Sequence, residues 1–342
     1  MHYRYIYNAW VGGYIERAEG VNLVFGVLIN TIFNMGVSIF MLISGYYGMN
    51  HSFRKMISLE LEVVFYSVIG MLISSIARDR WSIITIIRSF VPVITKKYWF
   101  ITIYMLMMIL GKYIDCIWKK LSQHELLKLI VLMFVVFSFL PTFTTVHVME
   151  DGGKGLMNMM LMYLTGRYIK LYCDDWKPNQ NKLLILISVM TGAWIATGMF
   201  ETFGINQGMG IHTFLAGDSS VLTVFMGVLI LIFAVRTPYY SKRVNEIASH
   251  VFAVYLLEGS IRMFLQSIFK YEYAQSDWHI PVITIMYSLT AFCLCIVIDT
   301  MRIKLLKGIE RAICNILEKK IMYLIKRIDV QRVGKGIKRI LE

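Results

Sequence analysis

The stretch "FNMGVSIFMLISGYYGMNHSFRK", Phe33–Lys55, decides how the chain is read. It is almost uniformly apolar, closes on Ser-Gly-Tyr-Tyr-Gly, and breaks into a basic patch at Arg54 and Lys55. A buried core helix, a plain membrane anchor and one wall of a membrane active site all fit such a pattern. The rest of the chain chooses among them. Apolar runs of about 20 residues recur, the length that crosses a hydrocarbon core of about 30 Å. Hydrophobic residues make up 57% of the chain and charged residues 17%, against about 25% charged in a soluble domain. Mean hydropathy is +0.60. Backbone in lipid must satisfy its own hydrogen bonds, so the composition predicts an all-α, polytopic transmembrane helical bundle.

Nine candidate spans follow from the apolar runs: Val21–Tyr47, Ile57–Ala77, Tyr98–Trp118, Leu126–Leu140, Gly155–Leu171, Leu183–Phe200, Ser219–Val235, Ile247–Phe269 and Ile280–Asp299. Trp81–Ile94 is apolar but short and reads as an interfacial or re-entrant helix. Beyond position 300 the character changes. Residues 301–342 are basic and amphipathic, with Ile and Leu at three- and four-residue steps. This tail reads either as a helix on an anionic inner leaflet or as a helix packed under the bundle. The expected division is a membrane domain over 1–300 and a cytoplasmic tail over 301–342.

The net charge of +13 is what cytoplasmic loops of a multi-pass protein carry. No basic run with interleaved aromatics lies outside the juxtamembrane segments, so nucleic acid is not an expected partner. Basic loops at His51–Lys55, 112–124, 167–182 and 236–243 alternate with the loops holding Glu150 and Glu201. The first kind is expected in the cytoplasm and the second outside, with the C-terminus cytoplasmic. The loop Arg78–Lys97 breaks the alternation. It is either an outer basic patch or a re-entrant segment. The five cysteines show no CxxC pairing, and Cys293 and Cys295, two apart on one helix, point to different faces. Neither a disulfide framework nor a metal site is expected.

Charges within spans mark candidate functional positions, because they are costly there. Glu60 and Glu62 cannot share a face, and Glu60 is expected to pair with Arg54 or Lys55. In "EIASHVFAVYLLEGSIRMF", His250, Val254, Glu258 and Arg262 step by four, and Glu258 and Arg262 can pair. That stripe is either a structural ion pair or a polar path for substrate. Ser44-Gly45 is placed to let a neighbouring helix approach closely. His147 and His212 fall in or beside outer loops, where a histidine titrating near neutrality could serve as a base.

Four stretches, taken together, carry a resemblance. "GVSIFMLISGYYG" with Arg54 and Lys55, "KKYWFITIYMLMMIL" at Lys96–Leu110, "MYLTGRYIKLY" at Met162–Tyr172 and "VFAVYLLEGSIR" at Val251–Arg262 occur in order. They resemble signatures of the acyltransferase 3 family of integral membrane O-acyltransferases, over about Tyr7–Asp299. The resemblance implies a multi-pass protein of the cell membrane. It also implies acetyl-CoA or another acyl-CoA as donor substrate, with no bound cofactor, and a carbohydrate acceptor on the far side. The partners it implies are thus membrane lipid, acyl-CoA and the carbohydrate.

The family's catalytic histidine lies near the outer end of a first span that this sequence, as read here, lacks; His2 stands in its place. Glu258 occupies the position of a family histidine, and Arg54 and Lys55 match part of a basic motif. The implied site is therefore His2 as the catalytic base, with Arg54, Lys55, Trp99, Glu258 and Arg262 binding donor or acceptor. Glu201 or Asp218 is placed to orient the base. The expected activity is O-acyl transfer, most simply acetyl transfer, to a surface polysaccharide or lipid-linked sugar. A transporter or flippase of a lipid-linked glycan and an inactive truncated family member are the rival readings.

Overall fold

The computed structural model describes residues 20–33, 35–144, 149, 151–206, 217–237, 239–269 and 279–327. Secondary structure among the described residues is helical, without strands. In chain order the helices are α1 (Gly20–Phe33), α2 (Gly36–Tyr47), α3 (Phe53–Arg78), α4 (Ile83–Ser89), α5 (Trp99–Trp118), α6 (Gln123–Phe134), α7 (Leu140–Phe143), α8 (Leu156–Tyr172), α9 (Gln180–Asn206), α10 (Val221–Arg236), α11 (Lys242–Ser249), α12 (Val251–Phe269) and α13 (Ile280–Arg327). Six helical stretches among the described residues are long and apolar enough to cross a membrane. The shorter apolar helices α2 and α10 add to them, and the fold is a polytopic helical bundle.

Local chemistry explains several boundaries. Ser52 Oγ accepts the Lys55 N–H at 3.2 Å and starts α3. Ser122 and Glu125 form a reciprocal cap at the head of α6, which satisfies donors that the first turn leaves open. Helix α3 ends at Asp79, in the left-handed region at φ +49. There the Asp79 and Arg80 N–H groups return to the carbonyls of Ile76 and Ser75. Between α6 and α7 the backbone widens to a π-helix over Val135–Phe139. Pro141 follows within a turn, and its missing N–H and its ring are incompatible with regular α-geometry.

The described chain forms two compact units. The first comprises the described residues within Met1–Met49, Tyr98–Asn245 and Ile268–Leu289. Its most extensive helix pair is α2 with α8. A β-carbon built at Gly45 would run into the Tyr163 carbonyl, and one at Gly166 into the Leu42 carbonyl. The two backbones therefore touch, as Ser44-Gly45 predicted. Around this seam Met41, Leu42, Met159, Met162 and Tyr163 are fully buried. A second cluster joins Met35, Trp194 and Met226 with Ile39, Ile187 and Leu229.

The second unit comprises the described residues within Asn50–Lys97, Glu246–Ser267 and Thr290–Glu342. The expected end of the last span, Asp299, falls inside helix α13. Helix α13 runs unbroken for 48 residues. At 1.5 Å per residue that is about 70 Å, longer than a whole bilayer of about 40–45 Å, so one end projects beyond the membrane. The projecting part is not left to the leaflet alone. Cys314 Sγ donates to the Arg54 carbonyl at 3.4 Å, and Glu318 pairs with Arg54 at 3.1 Å. Cys293 is exposed and Cys295 buried on this helix, as their spacing requires.

The α2–α8 seam yields a direct test. Gly45→Ala and Gly166→Ala are expected to lower stability by about 1–3 kcal/mol, the usual cost of overpacking. Gly192→Ala, with no atom within 4 Å of the added carbon, is expected to leave it unchanged. Thermal midpoints of the purified chain in maltoside detergent check this, and equal midpoints for all three variants would refute the seam.

Candidate functional site

The densest group of ionisable side chains among the described residues lies in the second unit and centres on Asp299, which is 2% exposed. Its Oδ1 accepts the Tyr66 hydroxyl and the Arg302 Nε–H, the latter at 3.1 Å. Its Oδ2 lies 2.6 Å from His250 Nδ1. Arg302 then reaches Glu62 at 2.9 Å and Glu310 at 2.9 and 3.0 Å, with its guanidinium 5.3 Å from the Tyr66 ring centroid. Three carboxylates thus share one guanidinium and one imidazole. A guanidinium presents five donors in a fixed fork, which is why one arginine serves several acceptors. A carboxylate bonded to one imidazole nitrogen also fixes which nitrogen holds the proton. Asp299 and His250 have the geometry that orients a base, within a frame held by Tyr66 and Arg302.

Sequence reasoning assigned this group only in fragments. Asp299 was the end of a span, Arg302 belonged to the tail, and Tyr66 carried no signal. The available sign was Asp299 and Arg302 spaced i,i+3 where an apolar helix should hold no charge. His250 was placed in a stripe with Glu258 and Arg262, but it turns to Asp299 instead. The expected pairing of Glu60 with Arg54 or Lys55 is not formed. Glu60 Oε2 is buried without a partner, Arg54 pairs with Glu318, and Glu62 takes Arg302.

His2, together with His147 and His212 and the side chain of Glu201, lies outside the described residues. Arg54 lines an open cavity of about 490 Å³ with Asn315, Glu318, Lys319 and Met322. Lys55 stands beside it in sequence, exposed in the first turn of α3. Glu258 and Arg262 pair with each other at 3.6 Å along α12, at 40% and 25% side-chain exposure. These four belong to the second unit. Trp99 belongs to the first, half-buried at the start of α5, with Lys154 Nζ 5.6 Å from its ring centroid. Lys154 Nζ is also 3.9 Å from Asp218 Oδ2, and Asn158 Nδ2 donates to the Gly153 carbonyl at 2.8 Å.

A further polar group in the first unit joins the ends of α2, α8 and α10. Tyr46 donates to Asp174 Oδ1 at 2.7 Å, and Lys170 pairs with Asp174 Oδ2 at 2.9 Å. Arg236 approaches Asp174 at 3.4 Å and donates to the Cys173 carbonyl. The hydrogen bond from Lys170, then that from Tyr46, holds the Asp174 carboxyl below the usual range. Burial pushes the Cys173 thiol up.

With this geometry in hand, comparison with known proteins defines the class. The family model described as an acyltransferase domain, acyltransferase 3, matches residues 1–300. The chain belongs to the acyltransferase 3 family and is a membrane acyltransferase. No curated protein and no solved structure matches it.

Two measurements follow from the second unit. Arg302→Met leaves Glu62, Asp299 and Glu310 without their counter-charge, and is expected to cost about 3–5 kcal/mol. Tyr66→Phe removes one donor to Asp299 and is expected to cost about 1–3 kcal/mol. Thermal midpoints in detergent rank them, and a wild-type midpoint for Arg302→Met would refute the network.

The second measurement concerns Lys97. The residue as a whole is exposed, but its ammonium turns onto the Ser67 carbonyl at 2.8 Å and hydroxyl at 3.0 Å, and burial there lowers its pKa to about 8. The folded value lies below the unfolded value of about 10.4. The charged form therefore weighs against the fold below about pH 8, and this is relieved as pH rises through 8 towards 10.4. Amine labelling followed by mass spectrometry should show a midpoint near 8 at Lys97, and one near 10 would contradict it.

Proposed function

We propose that the chain is an O-acyltransferase that carries an acyl group, in the simplest case acetyl, from acyl-CoA to a hydroxyl of a cell-surface polysaccharide or lipid-linked sugar. The observation that carries this reading is the family match over residues 1–300 in a chain folded as a polytopic helical bundle. In the family mechanism a histidine takes the proton of the acceptor hydroxyl as its oxygen attacks the thioester carbonyl. The carbon–sulfur bond breaks, an ester forms, and the proton passes to the thiolate of the departing CoA. His2 is the residue we assign to that step. Arg54 and Lys55 are suited to anionic groups of the donor, Trp99 offers an aromatic face to a sugar, and Glu258 and Arg262 supply a polar pair for donor or acceptor. We assign the C-terminal end of the chain to the cytoplasm, the side of the donor, because the basic loops alternate with acidic ones as positive-inside insertion requires.

The test is label transfer. Membrane vesicles containing the chain are supplied with labelled acetyl-CoA, and label is followed into glycan and lipid-linked sugar. The expected result is chain-dependent incorporation that falls by about a hundredfold or more in His2→Ala. Absence of label, with lipid-linked sugar crossing the membrane in a chain-dependent way, would replace the reading with a transporter.

A further inference from the structure

Arg167 stands out in the first unit by what it lacks. Its guanidinium lies 5.0 Å from the centroid of the Trp118 ring. It makes no hydrogen bond or ion pair among the described residues, and its Nε is buried without a partner. Lys119 approaches the same ring at 5.8 Å. The nearby carboxylate, Asp115, is bonded to other groups, taking the Trp118 indole N–H at 2.8 Å and the Tyr163 hydroxyl at 2.9 Å. One turn along α8, Lys170 and then Arg236 share the single carboxylate of Asp174. That end of the first unit therefore gathers Arg167, Lys119, Lys170 and Arg236 near Asp115 and Asp174, with Asp175 next in sequence.

Two features of the fold keep Arg167 in place. Helices α2, α5, α8 and α10 all terminate here, and helix C-termini carry partial negative charge that favours cations. Gly48, at φ +84, carries the chain out of α2, and a β-carbon there would sit 3.5 Å from an Arg167 terminal nitrogen. These features account for a cation being held, and Trp118 accounts for its stacking. Neither supplies an acceptor for the fork of donors. A half-buried guanidinium that lies over an aromatic ring, with its Nε buried and its terminal N–H groups unpaired among the described residues, is suited to contact with a phosphate through those terminal groups.

We propose that Arg167, stacked on Trp118, receives a phosphate group at this end of the first unit, with Lys119 beside it. The group belongs either to the nucleotide part of the acyl donor or to a phospholipid headgroup. The first source rests on the acyl-CoA reading above; the second does not.

The experiment uses the full chain purified in maltoside, which contains no phosphate, comparing wild type with Arg167→Gln and Arg167→Lys. Coenzyme A binding is measured by calorimetry, retained phospholipid by native mass spectrometry, and wild-type acetyl transfer in parallel. If the donor is the source, Arg167→Gln weakens coenzyme A binding about tenfold or more, and the lysine variant, lacking the fork, restores it only in part. If lipid is the source, coenzyme A binding is unchanged and Arg167→Gln loses the phospholipid that wild type retains. The proposal is overturned if both properties match wild type. Acetyl transfer by wild type in that case leaves the proposed function intact and sinks the phosphate site alone. A wild type that neither binds coenzyme A nor transfers acetyl counts against the proposed function, and the lipid arm then decides the site. Should Arg167→Gln not fold, phenylglyoxal modification of Arg167 in wild type replaces it. Protection by added coenzyme A or by retained phospholipid supports the site, and equal modification with and without both refutes it.

Discussion

A carboxylate within a membrane protein has to be answered by protein groups, because hydrocarbon offers neither counter-charge nor hydrogen bond. In the second unit that demand is concentrated at Asp299. Tyr66 answers it from α3, His250 from the turn ahead of α12, and Arg302 from the next turn of α13. Arg302 extends the arrangement to Glu62 and Glu310. Segments far apart in the chain are thus joined through shared partners, whereas Glu60 on the same α3 keeps a buried carboxylate oxygen without one. A fully satisfied buried network rigidifies and specifies its surroundings, whereas a partly satisfied one is costly.

The first unit meets the same solvent differently. Its central seam is steric. Glycine at positions 45 and 166 lets α2 and α8 touch backbone to backbone, which maximises van der Waals contact where lipid tails provide no hydrophobic drive for helices to associate. Polar groups are displaced to the helix ends, where Tyr46, Lys170 and Arg236 converge on Asp174. In an enzyme whose reaction we place within a bundle, such division of labour is useful. A close-packed seam holds helices at fixed spacing.

The histidine step we propose depends on positioning. Misplacement by about 1 Å can cost about a hundredfold in rate. Close packing through Gly45 and Gly166 in the first unit and the ionic group around Asp299 in the second each fix helix positions within their own unit.

Much of this was legible in the chain itself. Apolar runs of spanning length and sparse charge determined a helical membrane bundle, because only helices and closed barrels satisfy the backbone in lipid. Gly45 next to Ser44 disclosed the close helix approach. The i,i+4 spacing of Glu258 and Arg262 disclosed their pairing, since neighbours on one helix face are fixed by its period. Tertiary structure alone decided the partners of charges that meet across the chain. Arg54 finds Glu318 rather than Glu60, and Asp299 finds Tyr66 and His250, because those contacts depend on how helices distant in sequence pack. It also decided the length of α13. No proline or capping signal stops that helix near position 300, and Glu310, Cys314 and Glu318 gain partners within the second unit by continuing it.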